Sequence, residues 1–557
     1  MNTRMSNSSA ATPGDSRFYL LLLVMVAIGA WLRLNQFTQQ VLLDDEWHVI
    51  HQLLFKGPKE LFLTLGHADF SIPLGLMYWL ELKQFGLSEL AMRWPMMCAG
   101  LLTLVVFPLY VRKYFDRFTT LLFSLLLVIS PMLVIYSRTA RPYALTLLLS
   151  LLALAAFHQF VVSEKSSWKS AIVYALCAVG SAWLHLISLP LIVAPFLVFG
   201  LPALIDRNWG RVGRLFYLGL FTLAGLLVVV LPPLLGHPED LGAKLGVHNP
   251  DMQTYYGVLF VWLGTPSQVV VLTGVILAAL GAGSLWREFP LTASLLTGLG
   301  LTFVLILLTQ PAWVNHPLTL ARYLLPAAPL FLLAISLGLK RLIDTLAMHW
   351  GRKGNFAALA LAMSVLLLMA FHSPLFRILA KPNSNSLHSV YQFDFRDDKN
   401  LISLYQKDFA VSPFWKQLAK FPRDSLKIAA APFSFETHHW DAARWEQISQ
   451  QRVMPGFLNS FCVTKRWGEV PKGRGFRFRN VAYLDDQLDM IDRGFDLVVY
   501  QKPFKVKTNE GEKEFGMDTV DCIFSFREQF PAPVYEDDLL VVFPLHDRIK
   551  GQFNAER

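Results

Sequence analysis

Asp44-Asp45-Glu46-Trp47-His48 sets three consecutive carboxylates shortly after an apolar stretch that ends at Leu34. Asp69 follows in the same connecting segment, within His67-Ala68-Asp69-Phe70-Ser71-Ile72-Pro73. Ionised carboxylates are costly beside hydrocarbon, and in membrane chains they usually serve a function. A carboxylate at the mouth of a cavity can take the proton of an attacking hydroxyl. Two neighbouring acids can divide labour, one as base and the other orienting substrate or holding a divalent cation. Asp45 and Glu46 are therefore the candidate metal ligands, if there is a metal, although a merely solvated acidic loop has the same composition.

The candidate cations form two runs. Tyr136-Ser137-Arg138-Thr139-Ala140-Arg141-Pro142-Tyr143 joins two apolar stretches, and Arg322-Tyr323-Leu324-Leu325-Pro326 precedes another. Guanidinium groups donate bidentately to phosphate or carboxylate, but arginines beside tyrosines also sit at membrane interfaces with no ligand. His48, His51 and His67 share the acidic segment, and His185 lies between two apolar stretches. None has metal-site spacing of the H-E-x-x-H kind, so hydrogen-bonding roles outweigh metal binding. No G-x-S-x-G, Walker-type or G-x-G-x-x-G motif occurs, which removes support for a serine nucleophile or a nucleotide-driven reaction.

These residues need a membrane scaffold to hold them. The chain has 557 residues, 54% hydrophobic and 16% charged, a balance that excludes disorder and argues against an ordinary soluble enzyme. Eleven apolar stretches fall near 18–34, 91–111, 118–134, 143–162, 171–185, 187–204, 214–235, 268–285, 290–309, 322–339 and 355–372. Runs of roughly 17–22 apolar residues cross about 30 Å of hydrocarbon as helices. The pair flanking His185 also reads as one broken element.

The sequence thus predicts a polytopic α-helical membrane domain over 17–375, preceded by a disordered cytoplasmic tail over 1–16. Within it, the loop 35–90 is expected to hold two short amphipathic helices, around Val49–Leu54 and Leu74–Leu82. Residues 376–557 read as a soluble α/β domain, with strands at 426–430, 495–500 and 539–543 and helices at 441–451 and 483–493.

Lys and Arg are concentrated in alternate loops, among them Arg112, Lys113, Arg207, Arg211, Arg287, Lys340 and Arg352. The positive-inside rule then makes the N-terminus cytoplasmic. An odd number of spans puts the acidic loop and the C-terminal domain on the outer face. The net charge of +9 is largely topogenic and calls for no nucleic acid. The one N-glycosylation sequon, at Asn7, falls on the inner side, which fits a bacterial inner membrane protein. Cys98 and Cys177 read as small buried hydrophobes. Cys462 and Cys522 lie in the outer domain, where an oxidising compartment permits a disulfide, but their spacing leaves the pairing open.

The order of these motifs resembles the GT-C membrane glycosyltransferases, in particular the protein O-mannosyltransferase and lipid A aminoarabinose transferase branch. The similar segments are Asp45-Glu46, His67-Ala-Asp69-Phe-Ser-Ile-Pro73, Tyr136–Leu145 and Ala321–Pro329, and the resemblance covers roughly residues 15–375. It implies an inverting transfer of a sugar from a polyprenyl-phosphate donor to a hydroxyl acceptor of unspecified kind (lipid, glycan or protein) on the outer face. Asp45 would take the base position, with Asp44 an alternative by one residue of register. Glu46 and Asp69 would be further site acids. Arg138, Arg141 and Arg322 would face the donor phosphate, with Tyr323, His67 and His185 nearby. The sequence departs at Phe70-Ser71-Ile72, where aminoarabinose transferases carry Lys-Pro-like residues; this leaves one phosphate contact and the sugar open. A lipid-linked sugar or polysaccharide transporter is the alternative reading.

Overall fold

The computed structural model describes residues 13–35, 37, 46, 49–50, 52–53, 56–65, 71–84, 86–163, 167–242, 245–265, 267–371, 411–431, 445–446, 448–455, 477–478, 481–482, 489–492, 494–508, 511–515, 520–529 and 532–555. The chain forms two compact units: 1–35, 95–230 and 244–381 in the first, and 36–94, 231–243 and 382–557 in the second.

The first unit is helical. Its main helices include Pro13–Leu34, Glu89–Val111, Tyr143–Val162, Trp168–Leu184, Leu189–Ile205, Trp209–Gly236, Gln268–Glu288 and Thr292–Thr309. Among the described residues seven helices are long and apolar enough to cross a membrane, or nine if each of two bent pairs counts as one span. The first bent pair is Arg117–Ile129 with Pro131–Ser137, turned by 57°. Pro131, at the first position of the second piece, cannot donate its backbone N–H and restricts Ser130 to an extended conformation. The second pair, Pro317–Tyr323 with the following helix, turns by 87°. Helix starts are fixed by side-chain caps: Asp116 accepts from Thr119, Ser267 from Val270, and Asp251 forms a capping box with Thr254.

Two expectations are corrected here. The stretches at 322–339 and 355–372 are not separate spans, because one 45-residue helix, Ala327–Phe371, covers both. The polar link between them contains no proline, so nothing local stops the backbone ladder. At 1.5 Å per residue this helix is about 68 Å long, and among the described residues these two stretches are one helix rather than two. Cys98 is also not buried: it is exposed on the Glu89–Val111 helix, since an apolar residue can face lipid as readily as protein. In addition the first helix begins at Pro13, inside the stretch read as a tail.

Close helix contact depends on small residues. A Cβ on Gly281 would collide with the Ala334 carbonyl, and one on Gly338 with the Leu277 carbonyl. The Gln268–Glu288 and Ala327–Phe371 helices therefore meet backbone to backbone.

The second unit contains short helices at Pro58–Leu63 and Ile72–Gln84 and the strands of the C-terminal region. The second helix matches the expectation over 74–82, and the described residues 49, 50, 52 and 53 are helical where the other helix was expected. Nine strands follow: β1 Lys427–Ala431, β2 Arg452–Pro455, β3 Arg477–Phe478, β4 Val481–Ala482, β5 Leu497–Gln501, β6 Phe504–Thr508, β7 Gly511–Phe515, β8 Tyr535–Glu536 and β9 Leu540–Pro544. Five make one sheet in the order β2-β1-β5-β9-β8. β1 pairs parallel with β2 and β5, whereas β9 runs antiparallel to β5 and β8. The predicted strands at 426–430, 495–500 and 539–543 are its three central members. Trp415 stacks on Trp445 at 5.1 Å, and Phe414, Ile428, Val499 and Val542 close the core.

Candidate functional site

Asp44, Asp45, His67 and Asp69 lie outside the described residues, as do Cys462 and the Cys522 side chain. Glu46 is described, and its surroundings are specific. Arg93 donates from Nε to Glu46 Oε1 at 2.7 Å and from Nη2 to Oε2 at 2.6 Å. Glu46 is 2% and Arg93 0% exposed. This bidentate pair engages both Glu46 oxygens and fixes the position of its carboxylate. Around it, Tyr78 donates to the Met92 carbonyl at 2.7 Å and Trp94 to Glu81 at 3.2 Å. Burial raises the Glu81 carboxyl above its ordinary value, with the Trp94 bond opposing. Arg93 looks in sequence like any arginine at a span end; only the fold pairs it with Glu46.

In the first unit the cation runs separate into two roles. Arg138 is fully buried, and its Nη1 donates to the carbonyls of Arg33 (2.7 Å) and Asn35 (2.6 Å). Arg33 is also buried and donates to Ser137 Oγ at 3.3 Å and to the Gly29 carbonyl at 3.1 Å. Gly100 makes room for this contact, because a Cβ there would collide with Ser137 Oγ. Arg33 and Arg138 thus tie the end of the first helix to the bent Arg117–Ser137 pair.

Arg141, Arg322, Tyr323 and His185 converge on Tyr143. The Tyr143 ring lies 5.9 Å from the Arg141 guanidinium and 5.5 Å from that of Arg322. Tyr136 packs edge-on against it at 4.9 Å, and His185 lies 5.5 Å away. Tyr323 packs against His185 at 5.5 Å. His185 Nδ1 accepts from the Ile187 N–H at 3.3 Å, which assigns the neutral ring's proton to Nε2.

A pocket opens here, lined among the described residues by Tyr143, Thr146, His185, Ser188, Thr302, Arg322 and Tyr323 together with apolar side chains. Both guanidinium groups are attracted by the quadrupole of the Tyr143 ring. The Arg322 cation gives this pocket a positive charge suited to an anion. The same field is felt outside the spans: burial, and then the Arg322 charge, hold His316 below its ordinary pKa.

Directly along the bundle lies an apolar cleft on the same helices. Leu151 and Ala155 continue the face of Tyr143 and Leu147; Leu295 and Leu291 continue that of Thr302 and Leu299; Leu330 and Leu333 follow Pro326. These spacings of three and four residues place the pocket and the cleft along one stripe of each helix. The pocket is cationic and aromatic, and the cleft, which shares no lining residue with it, is apolar. Among the described residues no three His, Cys, Asp or Glu side chains group as a metal site.

A family profile described as Dolichyl-phosphate-mannose-protein mannosyltransferase matches residues 72–235. No curated protein matches the chain. Among solved structures, ArnT from Cupriavidus metallidurans in the apo state is similar with a TM-score of 0.50 at 13% identity, covering 97% of this chain and 99% of that one. The same protein bound to undecaprenyl phosphate gives 0.49 at 14% identity over the same shares. The Archaeoglobus fulgidus oligosaccharyltransferase, in complex with Zn and sulfate, gives 0.39 at 12% identity, covering 89% of this chain and 73% of that one. The expectation drawn from the motifs is met at the level of the fold: the chain is similar in fold to apo ArnT over nearly its whole length, and the mannosyltransferase profile matches residues 72–235 of it.

Proposed function

We infer that this protein transfers a sugar from a polyprenyl-phosphate donor to a hydroxyl acceptor, with inversion, on the extracytoplasmic face of the membrane. The observation that carries this reading is the pocket in the first unit, where Arg322 lies with Tyr143, His185 and Tyr323 and Arg141 approaches the Tyr143 ring. A separate cleft on the same helices is apolar. A prenyl phosphate has the same division. The ArnT structure determined with undecaprenyl phosphate names a ligand of this class in a protein of similar fold.

In the reaction, the carboxylate of Asp45 takes the proton of the acceptor hydroxyl. The acceptor oxygen attacks the anomeric carbon from the face opposite the phosphate. The bond between that carbon and the phosphate oxygen breaks, and its electron pair leaves with the prenyl phosphate. Arg322 and Arg141 stabilise the charge that gathers there, an effect strengthened where water is excluded. Glu46, held by Arg93, fixes the chain next to Asp45.

The test is transfer by the purified chain in lipid nanodiscs, with a panel of radiolabelled polyprenyl-phosphate sugars and a membrane extract as acceptor. Transfer should fall about 10²–10⁴-fold in Asp45→Asn, the usual scale for a positioned base. A folded Asp45→Asn protein with full activity would remove Asp45 from this role.

A further inference from the structure

Hydroxyl groups inside a helical bundle are ordinarily satisfied by the helix itself. Thr103, Thr222, Thr273, Thr302 and Thr309 each donate to the carbonyl four residues back, at 2.7–2.9 Å. Ser150 and Ser181 satisfy each other at 2.7 Å across the Tyr143–Val162 and Trp168–Leu184 helices. Among the described residues the buried hydroxyls of Ser71, Ser124, Ser130, Thr146 and Ser188 depart from this rule and have no hydrogen-bond partner. Of these, Thr146 and Ser188 are 6% and 3% exposed. Both line the head pocket that holds Arg322, Tyr143 and His185.

The two orphans have separate local origins. Thr146 is four residues after Pro142, whose carbonyl already takes the Thr146 N–H, and its hydroxyl does not share that acceptor. Ser188 ends the short 3-10 turn that His185 caps between two helices, so its hydroxyl has no full helical turn behind it. A buried hydroxyl left unmade costs stability. Two such groups in one pocket, on elements that are not adjacent in sequence, beside the Arg322 guanidinium, form a set of donors suited to an acceptor.

We propose that Thr146 and Ser188 donate hydrogen bonds to non-bridging oxygens of the lipid phosphate, making them binding residues of the head pocket alongside Arg322. This rests on the lipid-phosphate reading above. Arginine supplies charge and attracts any anion; two neutral donors at fixed places select a tetrahedral phosphate over a carboxylate or a lipid alcohol. They add hydrogen bonds to the anion without adding another cation to a pocket already lined by Arg322.

The experiment compares binding of a short-chain polyprenyl phosphate and of the matching polyprenol to the full chain in nanodiscs, together with the thermal midpoint. The proteins are wild type, Thr146→Val, Thr146→Ser, Ser188→Ala and Arg322→Gln. Hydrogen bonds to charged groups are the stronger kind, so Thr146→Val and Ser188→Ala should each weaken phosphate binding about ten-fold. Polyprenol binding should not change, the midpoint should stay level or rise because an unpaired hydroxyl is gone, and Thr146→Ser should bind as wild type does.

A hydroxyl with only a structural role gives the reverse: a lower midpoint with unchanged phosphate affinity. That result overturns the proposal, as does equal weakening for phosphate and alcohol. If wild type binds the phosphate and loses it only in Arg322→Gln, this inference fails while the donor reading stands. If wild type binds neither lipid, both fail.

Discussion

Replacing Arg93 with methionine removes one half of a fully buried ion pair and leaves Glu46 charged in a site with 2% exposure. The two bonds at 2.6 and 2.7 Å engage both carboxylate oxygens, and burial prevents water from replacing them. Removing one partner of such a pair costs about 3–5 kcal/mol, whereas replacing both with apolar residues of similar volume is often neutral or stabilising. The double variant Glu46→Leu/Arg93→Met should therefore unfold close to wild type, with Arg93→Met well below both. Activity should not follow stability. Without the bidentate lock the backbone at Glu46, next in sequence to Asp45, loses its anchor, so transfer should stay at least about ten-fold down in the stable double variant, because misplacement of a catalytic group by an ångström is that costly. Thermal unfolding and transfer rate on the same nanodisc samples read both quantities. Equal thermal midpoints for the single and double variants would refute the buried-pair reasoning. A stable and fully active double variant would refute the anchoring role.

Further consequences concern the groove and the soluble fold. Arg322→Gln should reduce turnover about 10²–10³-fold, as loss of a charge-stabilising donor does, while Arg138→Gln, which frees the Arg33 and Asn35 carbonyls, should chiefly lower the thermal midpoint. Leu330→Trp fills the apolar slot and should raise KM for long-chain donors while sparing short-chain ones; equal effects on both would place the tail elsewhere. In the C-terminal region burial pushes the Asp537 carboxyl up, but bonds from Ser412, the Leu539 and Leu540 N–H groups and Tyr535 outweigh it and hold the group below its ordinary value. A carboxyl depressed on folding contributes stability above its unfolded pKa that is lost as pH falls through its folded one. Acid unfolding monitored by tryptophan fluorescence should accordingly be shallower in Asp537→Asn.

The strands of the C-terminal region were legible because Leu426–Ala430, Phe495–Tyr500 and Leu539–Phe543 are short apolar runs between polar breaks, a pattern only a buried strand satisfies at that length. The membrane helices were legible for the complementary reason, length. What composition cannot carry is where a helix fails to end: Lys340–Asn355 is polar enough for a loop, yet without proline it continues the 45-residue helix. Nor can it tell lipid from protein as the neighbour of an apolar residue, hence the exposed Cys98. At the site, Arg141 and Arg322 stood out as cations beside tyrosines, and the fold brings both to Tyr143. Glu46 and Arg93 are 47 residues apart and share no motif, so their pairing is a property of the fold alone. Thr146 and Ser188 carried no signal, since most helical hydroxyls are satisfied locally and nothing in sequence marks those that are not.

The most direct measurement is the fate of one labelled polyprenyl-phosphate sugar given to the wild-type chain in sealed proteoliposomes. Lipid and sugar would be separated by chromatography, and the product anomer read by NMR. The account predicts free polyprenyl phosphate and a glycosylated acceptor of inverted anomeric configuration, both dependent on Asp45. Donor that crosses the bilayer with its glycosidic bond intact, and with no transfer, would contradict it and make the chain a carrier.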